Sequence, residues 1–168
     1  FAKLYENSFR SVNISFANEM KMICEKIGIN ILDVIKISKT KTFGFTPFYP
    51  GPGMGGHCVP VDPLFISWIA KKKNISAKFI ESSRKINFKV TNWIINKVDK
   101  FISKSLNSKI LLIGVAYKKN VNDSRESPGV KILDYFLKKK RSIQYFDPLV
   151  KEVEIGKKNI KSLKILNY

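Results

Sequence analysis

The chain contains 168 residues, which is enough for one ordinary domain or two small ones. Apolar residues make up 44% of it, a fraction that is typical of a packed globular protein and argues against disorder. The formal net charge of +18 would suit a nucleic-acid binder, but the lysines are spread along the whole chain and no zinc-finger, RRM or KH signature accompanies them. We therefore expect solvated lysine-rich faces and a basic substrate cleft, and no nucleic-acid partner.

Neither a membrane segment nor a signal peptide is visible. No apolar run approaches the roughly 18 residues that cross a bilayer, and the first residues, FAKLYENSFR, do not resemble a secretory leader. The two cysteines, Cys24 and Cys58, cannot form a disulfide framework, so we expect a cytoplasmic protein with reduced thiols and no membrane partner.

Helices dominate the first part of the chain. Apolar residues recur every three or four positions from Leu4 to Ile27, which predicts a long amphipathic helix. A short helix is predicted over Ile31–Ser38, and another begins at Asp62 and Pro63, with Asp62 as its N-cap. A further long helix is predicted over Ser76–Ser105.

The character of the sequence changes near Asn107. The apolar run KILLIGVAY (109–117) predicts a strand buried on both faces of a parallel sheet, a helix follows from Ser127 to about Lys140, and residues 142–148 predict a second strand. We therefore predict a mainly α region over residues 1–107 and a partial Rossmann-like βαβ domain over residues 108–168. The tail after residue 150 shows little recognisable structure.

Residues 40–61 form a long Pro- and Gly-rich loop without a helical period, and loops of this kind often carry function. Near its end lies Cys58, just upstream of a predicted helix N-terminus, a position that favours a thiolate. The preceding glycines let the backbone approach a ligand closely. Cys58 is therefore a candidate covalent nucleophile, whereas Cys24, in a helical apolar pattern, is expected in the core.

Polar residues near Cys58 are candidates for supporting roles. Asp62 can cap its helix and also order water or a proton near the sulfur. Lys3 and Asn7, four residues apart on one helix face, offer donors for an oxyanion, although the residues alone favour a solvated face. Adjacent residues in an extended loop generally point apart, so we expect no Cys–His catalysis by His57. A single histidine also argues against a metal site.

The α/β part has no dinucleotide fingerprint of its own, because KILLIGVAYKK does not continue into a GxGxxG pattern. Lys118, Lys119 and Arg125 nevertheless follow the end of the predicted strand, where open α/β sheets bind ligands. These cations suit a diphosphate group or simple surface charge, and the residues alone leave both readings open.

Four stretches together resemble the UDP-glucose/GDP-mannose dehydrogenase family, and the likeness covers most of the chain. They are KLYENSFRSVNISFANEM, FGFTPFYPGPGMGGHCVPVDP, the helix containing SSRKIN, and GVAYKKNVNDSRESP with YFDP beyond it. The form FYPGPG-x-GGHC-x-P-x-DP most resembles the branch that oxidises UDP-N-acetylglucosamine. UDP-glucose and UDP-N-acetylmannosamine are alternative substrates that only the style of this loop separates.

The resemblance implies an NAD-dependent enzyme that oxidises the C6 alcohol of a UDP-sugar to a carboxylate in two steps, through attack of Cys58 on an aldehyde and hydrolysis of a thioester. It implies catalytic roles for Cys58, Lys3, Asn7 and Asp62. The implied substrate contacts are Tyr49, Pro50, Gly51, Pro52, Gly53, Met54, Gly55, Tyr117 and Lys118, and the implied cofactor contacts are Val59 and Arg125.

The resemblance also implies that the long helices form a central dimerisation domain, and hence a homodimer, followed by part of a UDP-sugar-binding domain. The family's N-terminal dinucleotide-binding domain has no counterpart in this sequence, so we expect an incomplete part of the enzyme that does not turn over alone. A non-catalytic helical oligomerisation module is the alternative of another class. The joint presence of Cys58, Asp62, Lys3 and Asn7 argues against it.

Overall fold

The computed structural model describes residues 1–103 and 108–164, in which helices precede a small α/β region. The elements are α1 (Ala2–Lys26), α2 (Ile31–Ser38), α3 (Asp62–Lys72), α4 (Lys78–Ile102), β1 (Lys109–Ile113), α5 (Pro128–Lys138), β2 (Ser142–Phe146), β3 (Glu152–Ile155) and β4 (Lys158–Lys161). The prediction of a mainly α region followed by α/β structure is confirmed. The predicted end of the last long helix at Ser105 lies outside the described residues. No helix in the described part of the chain is both long and apolar enough to span a bilayer.

The chain divides into two compact units. Unit 1 consists of Phe1–Gly53 and Cys58–Val90, and unit 2 consists of Met54–His57 and Thr91–Tyr168. Their boundary therefore falls within α4, and a four-residue segment of the Gly-rich loop belongs to unit 2. The domain boundary predicted near Asn107 lies outside the described residues.

Helix α1 buries its small and polar side chains instead of its apolar stripe. Large apolar side chains on the stripe remain exposed, with exposed fractions of 51% for Phe9, 62% for Phe16, 48% for Ile23 and 62% for Ile27. The predicted burial of Cys24 is confirmed, since 3% of it is exposed. Both α2 and α3 pack on α1. The buried positions of α1 are Ser8, Ser11, Ser15, Ala17, Asn18 and Cys24.

The start of α3 differs from the prediction. The N-cap is Val61, no side chain caps the helix, and Asp62 is its first residue, so the prediction that Asp62 is the N-cap is wrong. The physical reason is a turn that precedes the helix. The carbonyl oxygen of Cys58 accepts the N–H groups of Val61 at 3.0 Å and Asp62 at 2.8 Å, which leaves the Asp62 carboxylate available for other partners.

Unit 2 is built on a βαβ motif. β1 pairs in parallel with β2, from Lys109 opposite Ser142 to Ile113 opposite Phe146, and α5 makes the connection between them. The Ser127 side chain caps α5 by accepting the N–H of Gly129 at 3.1 Å. The core of this unit contains Val115, Leu133, Phe136 and Tyr145, all fully buried.

Two predictions for unit 2 are wrong. β1 is not buried on both faces, because Leu111 is 45% and Ile113 is 63% exposed while the alternate residues Ile110 and Leu112 pack against the core. The tail after residue 150 also has regular structure, since β3 and β4 form an antiparallel hairpin. Its turn contains Gly156, whose φ of +62° suits a residue without a side chain.

Candidate active site

In unit 1, three of the predicted catalytic side chains meet at one carboxylate oxygen. Asn7 Nδ2 donates a hydrogen bond to Asp62 Oδ2 at 2.6 Å, and Lys3 Nζ lies 3.2 Å from the same oxygen. Lys3 and Asn7 reach it together because residues four apart lie on one face of α1. Only 6% of Asp62 is exposed, so this buried carboxylate links α1 to the start of α3.

The Lys3 ammonium group interacts with both Asp62 and Cys58. The hydrogen bond and the charge of Asp62, and then the interaction with nearby Cys58, raise the pKa of Lys3 above its usual value. The Lys3 side chain is 68% exposed and the Cys58 thiol is also exposed, so both are accessible to a substrate. An ammonium group beside a thiol can stabilise a thiolate and an oxyanion that develops next to it.

The part of the Gly-rich loop around Gly51 is held within unit 1 by a backbone hydrogen bond. The N–H of Gly51 donates to Asn18 Oδ1 at 2.8 Å, and Asn18 is fully buried on α1. Tyr49 is 55% exposed and Pro50 is half-buried. Asn18 was missed by the sequence analysis, because nothing in a helical pattern marks a buried asparagine as the partner of a distant loop.

The second part of the loop is packed within unit 2 against Tyr117. A Cβ atom added at Gly55 would lie 2.8 Å from Tyr117 Cβ and 2.9 Å from the carbonyl oxygen of Glu126. Gly56 has a φ of +81°, a Cβ there would lie 2.8 Å from Tyr117 Cε2, and its N–H donates to the carbonyl oxygen of Arg125 at 3.1 Å. The segment therefore requires glycine at both positions.

Arg125 is held by a neighbouring carboxylate. Its Nε donates to Asp123 Oδ1 at 3.0 Å and its Nη2 donates to Asp123 Oδ2 at 2.7 Å. These hydrogen bonds lower the pKa of Asp123 to about 2. The Arg125 side chain is 75% exposed and has N–H groups beyond those used here, so it can still meet an anionic group. Lys118 is exposed as well, with Nζ 5.7 Å from the Tyr117 ring centre.

Asp147 organises the turn after β1. Its Oδ2 accepts the N–H groups of Val115 at 2.8 Å and Ala116 at 3.1 Å, and its Oδ1 accepts those of Leu149 and Val150. Burial raises the pKa of Asp147, but the four backbone N–H groups outweigh it and the pKa lies below its usual value. The N–H groups of Val115 and Ala116, in the turn after β1, thus donate to Asp147 and not to a phosphate. This turn therefore does not fit the phosphate-binding turn of a dinucleotide site. The cofactor contacts expected at Val59 and Arg125 stay predictions.

The predicted site residues are divided between the two units. Tyr117, Lys118 and Arg125 belong to unit 2, as do Met54 and Gly55. The members in unit 1 are Lys3, Asn7, Tyr49, Pro50, Gly51, Pro52, Gly53, Cys58, half-buried Val59 and Asp62.

Comparison with protein families gives two matches. The central domain of the UDP-glucose/GDP-mannose dehydrogenase family matches residues 1–89, and the UDP binding domain of the same family matches residues 111–167.

Individual proteins similar to this chain are nucleotide-sugar dehydrogenases by name. The UDP-N-acetyl-D-mannosamine dehydrogenase of Methanococcus vannielii is 40% identical over 149 residues, covering 87% of this chain and 34% of the relative. The NDP-N-acetyl-D-galactosaminuronic acid dehydrogenase of Ralstonia nicotianae is 38% identical over 131 residues, covering 78% of this chain and 30% of the relative. The solved UDP-N-acetyl-mannosamine dehydrogenase of Staphylococcus aureus has 34% identity and a TM-score of 0.74, with 92% of this chain and 34% of that chain covered.

The chain spans about a third of the length of these relatives. Their names refer to N-acetylmannosamine and N-acetylgalactosaminuronic acid, so the predicted UDP-N-acetylglucosamine branch is not confirmed. One family model matches more than half of the residues and a second matches most of the remainder, and the chain therefore belongs to the UDP-glucose/GDP-mannose dehydrogenase family.

Proposed function

We propose that this chain is part of an NAD-dependent dehydrogenase that oxidises the C6 alcohol of a UDP-sugar to the uronic acid. The observation that carries the proposal is the cluster in unit 1, where Lys3 and Asn7 converge on the buried Asp62 carboxylate and the Lys3 ammonium lies close to the Cys58 thiol. A solvated helix face would not direct two side chains onto one buried oxygen. The membership in the family supports the same activity.

UDP-N-acetylmannosamine is the proposed substrate. Two of the relatives described above, from Methanococcus vannielii and Staphylococcus aureus, are named for N-acetylmannosamine, and they are 40% and 34% identical to this chain. UDP-N-acetylglucosamine, which the loop sequence favoured, and UDP-glucose become competing outcomes of the test below.

The residues of unit 1 suit the steps at the sugar carbon. The Cys58 thiolate adds to the C6 aldehyde, forming the S–C6 bond and an alkoxide, and further oxidation gives a thioester that water cleaves to the carboxylate, releasing the thiol. Lys3 has three N–H donors and Asn7 has two, so each can contact Asp62 and still offer a donor to the alkoxide. Asp62 holds these donors in place and orders the proton near the sulfur.

Binding of the nucleotide is proposed for unit 2. Its match to a UDP binding domain supports binding of the nucleotide diphosphate there, with Tyr117 and Lys118 as proposed contacts. When bound, NAD⁺ would accept the electrons of both oxidations, and Val59 and Arg125 are its proposed contacts in this chain. We place the reaction in the cytoplasm, because Cys58 acts only as a reduced thiol and both cysteines are free.

Protection of Cys58 from alkylation tests this proposal. Iodoacetamide at neutral pH, followed by peptide mass spectrometry, reports the exposed Cys58 and the buried Cys24 in the same molecule. We expect UDP-N-acetylmannosamine at about ten times its Kd to slow Cys58 alkylation by about tenfold, with weaker protection by UDP-N-acetylglucosamine and UDP-glucose. Stronger protection by one of those two would reject the proposed sugar, and no protection by any of the three would reject the activity.

We also propose that the protein forms a homodimer through its long helices. The exposed stripe of α1, which includes Phe9, Phe16, Ile23 and Ile27, supports this because large apolar patches commonly mark protein interfaces. Phe16→Glu should shift the sedimentation coefficient toward that of the monomer. Ile75→Glu, at a 63% exposed position outside the helices, is the control that should leave it unchanged. Equal behaviour of the two variants would reject α1 as the interface.

A further inference from the structure

A buried pair of asparagines joins the two long helices to the residues Tyr49–Gly53, which we call the substrate loop because they are proposed substrate contacts. Asn18 on α1 is fully buried and Asn87 on α4 is 3% exposed. Asn18 Nδ2 donates to Asn87 Oδ1 at 2.9 Å, and Asn87 Nδ2 donates to the carbonyl oxygen of Ser11 at 3.1 Å. The pair is therefore oriented by a backbone carbonyl of α1 itself.

This orientation directs the oxygen of Asn18 toward the loop. Asn18 Oδ1 accepts the N–H of Gly51 at 2.8 Å. If the Asn18 amide were turned over, its NH2 group would face the Gly51 N–H and its oxygen would face Asn87 Oδ1. Only the observed orientation of the amide therefore gives both neighbours a hydrogen-bond partner. The chain from the Ser11 carbonyl through Asn87 and Asn18 to Gly51 is thus a fixed sequence of donors and acceptors.

The sequence of the loop makes this hydrogen bond important. Gly51 lies between Pro50 and Pro52, and proline has no backbone N–H. Gly51 therefore carries the sole backbone donor of the three-residue segment, and Asn18 accepts it. The positions of these neighbouring substrate contacts depend on a residue that lies 33 positions earlier in the chain.

We propose that Asn18 is a positioning residue for the substrate loop, with Asn87 as the group that sets its orientation. This inference rests on the proposed function in one respect, namely that the loop binds the sugar. Residues Tyr49–Gly53 belong to the same unit as Cys58, whereas the UDP binding domain matches residues 111–167. Loss of the Asn18 hydrogen bond should therefore weaken binding of the UDP-sugar and leave binding of UDP unchanged.

Hydrogen exchange at Gly51 tests the positioning role directly. The chain has nine glycines, so ¹⁵N-glycine labelling gives a simple NMR spectrum in which Gly51 can be followed beside Gly44 and Gly156 as internal references. Asn18→Leu keeps a similar volume but has no acceptor, and we expect it to speed Gly51 exchange by about tenfold or more. Asn18→Asp keeps an acceptor oxygen for Gly51 but loses the Nδ2 donor to Asn87, so its Gly51 exchange should be slower than in Asn18→Leu. Asn13→Leu, at a half-exposed asparagine on the same helix, is the matched control and should leave Gly51 unchanged.

Calorimetric titration of the same full chains with UDP and with UDP-N-acetylmannosamine tests the link to substrate. We expect Asn18→Leu to lower the affinity for the UDP-sugar by about tenfold while the affinity for UDP stays within about twofold of the parent. Unchanged Gly51 exchange in Asn18→Leu, or exchange in Asn18→Asp as fast as in Asn18→Leu, overturns the positioning role. Faster exchange with unchanged UDP-sugar affinity overturns its role in binding. A parent chain that binds neither ligand overturns the proposed function, and the exchange result still decides the positioning role by itself.

Discussion

The carboxylate of Asp62 offers a quantitative test of how unit 1 is held together. Asp62→Ala removes the acceptor of Asn7 Nδ2, a 2.6 Å hydrogen bond to a carboxylate that is 6% exposed. A hydrogen bond to a charged group contributes about 1.5–3 kcal/mol, and an acidic residue in a first helical turn contributes about 0.3–1 kcal/mol more. Lys3 is 68% exposed, so water replaces its lost partner. We expect the free energy of unfolding of unit 1 to fall by about 2–4 kcal/mol.

Urea denaturation followed by tryptophan fluorescence measures this loss. Trp68 lies on α3, the helix that Asp62 begins, while Trp93 belongs to unit 2. In a Trp93→Phe background the fluorescence therefore reports unit 1. All variants are compared at one protein concentration, because association would make the midpoint depend on it.

Asp33→Ala is the matched control, since Asp33 also lies in a first helical turn but is exposed. It shares the interaction with the helix dipole and lacks the buried hydrogen bond, so its loss should be about 0.3–1 kcal/mol. Equal losses for the Asp62 and Asp33 variants would refute the reasoning, because the buried hydrogen bond would then contribute nothing to stability.

Three further predictions concern unit 2. Gly55→Ala should destabilise this unit by about 1–3 kcal/mol, because the added Cβ would lie 2.8 Å from Tyr117 Cβ. Arg125→Gln should raise the pKa of Asp123, measured by carboxyl NMR titration, from about 2 toward its usual value, because the guanidinium hydrogen bonds that lower it are lost. Asp147→Asn should destabilise the unit by about 2 kcal/mol, since a neutral amide offers one acceptor oxygen to four backbone N–H groups.

The controls for these predictions follow from the same geometry. Gly51→Ala has room for a Cβ, whose nearest contact would be 4.0 Å away, and should be tolerated; equal losses of stability at Gly51 and Gly55 would contradict the packing argument.

Because the folded-state pKa of Asp147 lies below its usual value, the contribution of its carboxylate to the stability of unit 2 is present at neutral pH and is lost as the pH falls through that folded-state pKa. Acid should therefore destabilise unit 2 of the parent more than that of Asp147→Asn, as read from Trp93 fluorescence, and equal acid sensitivity would contradict the assignment. An unchanged Asp123 pKa in Arg125→Gln would show that the ion pair does not persist in solution.

Much of the fold could be predicted from the sequence, because helical periodicity and helix caps depend on residues that are close together in the chain. The predicted helix over Ile31–Ser38 has the bounds found in the structure, and Ser127 caps α5 at the position where the sequence indicates a helix start. The change from helical periodicity to a continuous apolar run likewise located the βαβ motif.

What could not be predicted depends on partners distant in the chain. Helical periodicity identifies the faces of α1, but it does not say that Ser8 and Ser11 are buried while Phe16 is exposed. The role of Asp62 changed because the preceding turn already satisfies its N–H, which leaves its side chain to bind Lys3 and Asn7. These outcomes follow from tertiary packing, which overrides local preference.

The central claim is that Cys58 adds to the C6 aldehyde of a UDP-sugar, and a labelled aldehyde tests it most directly. The C6 aldehyde form of UDP-N-acetylmannosamine, ¹³C-labelled at C6, can be mixed with the chain without any oxidation step and observed by ¹³C NMR. We predict a thiohemiacetal carbon signal in the parent and in Cys24→Ser, and its absence in Cys58→Ser. Absence of the signal in the parent, or its persistence in Cys58→Ser, would contradict the account.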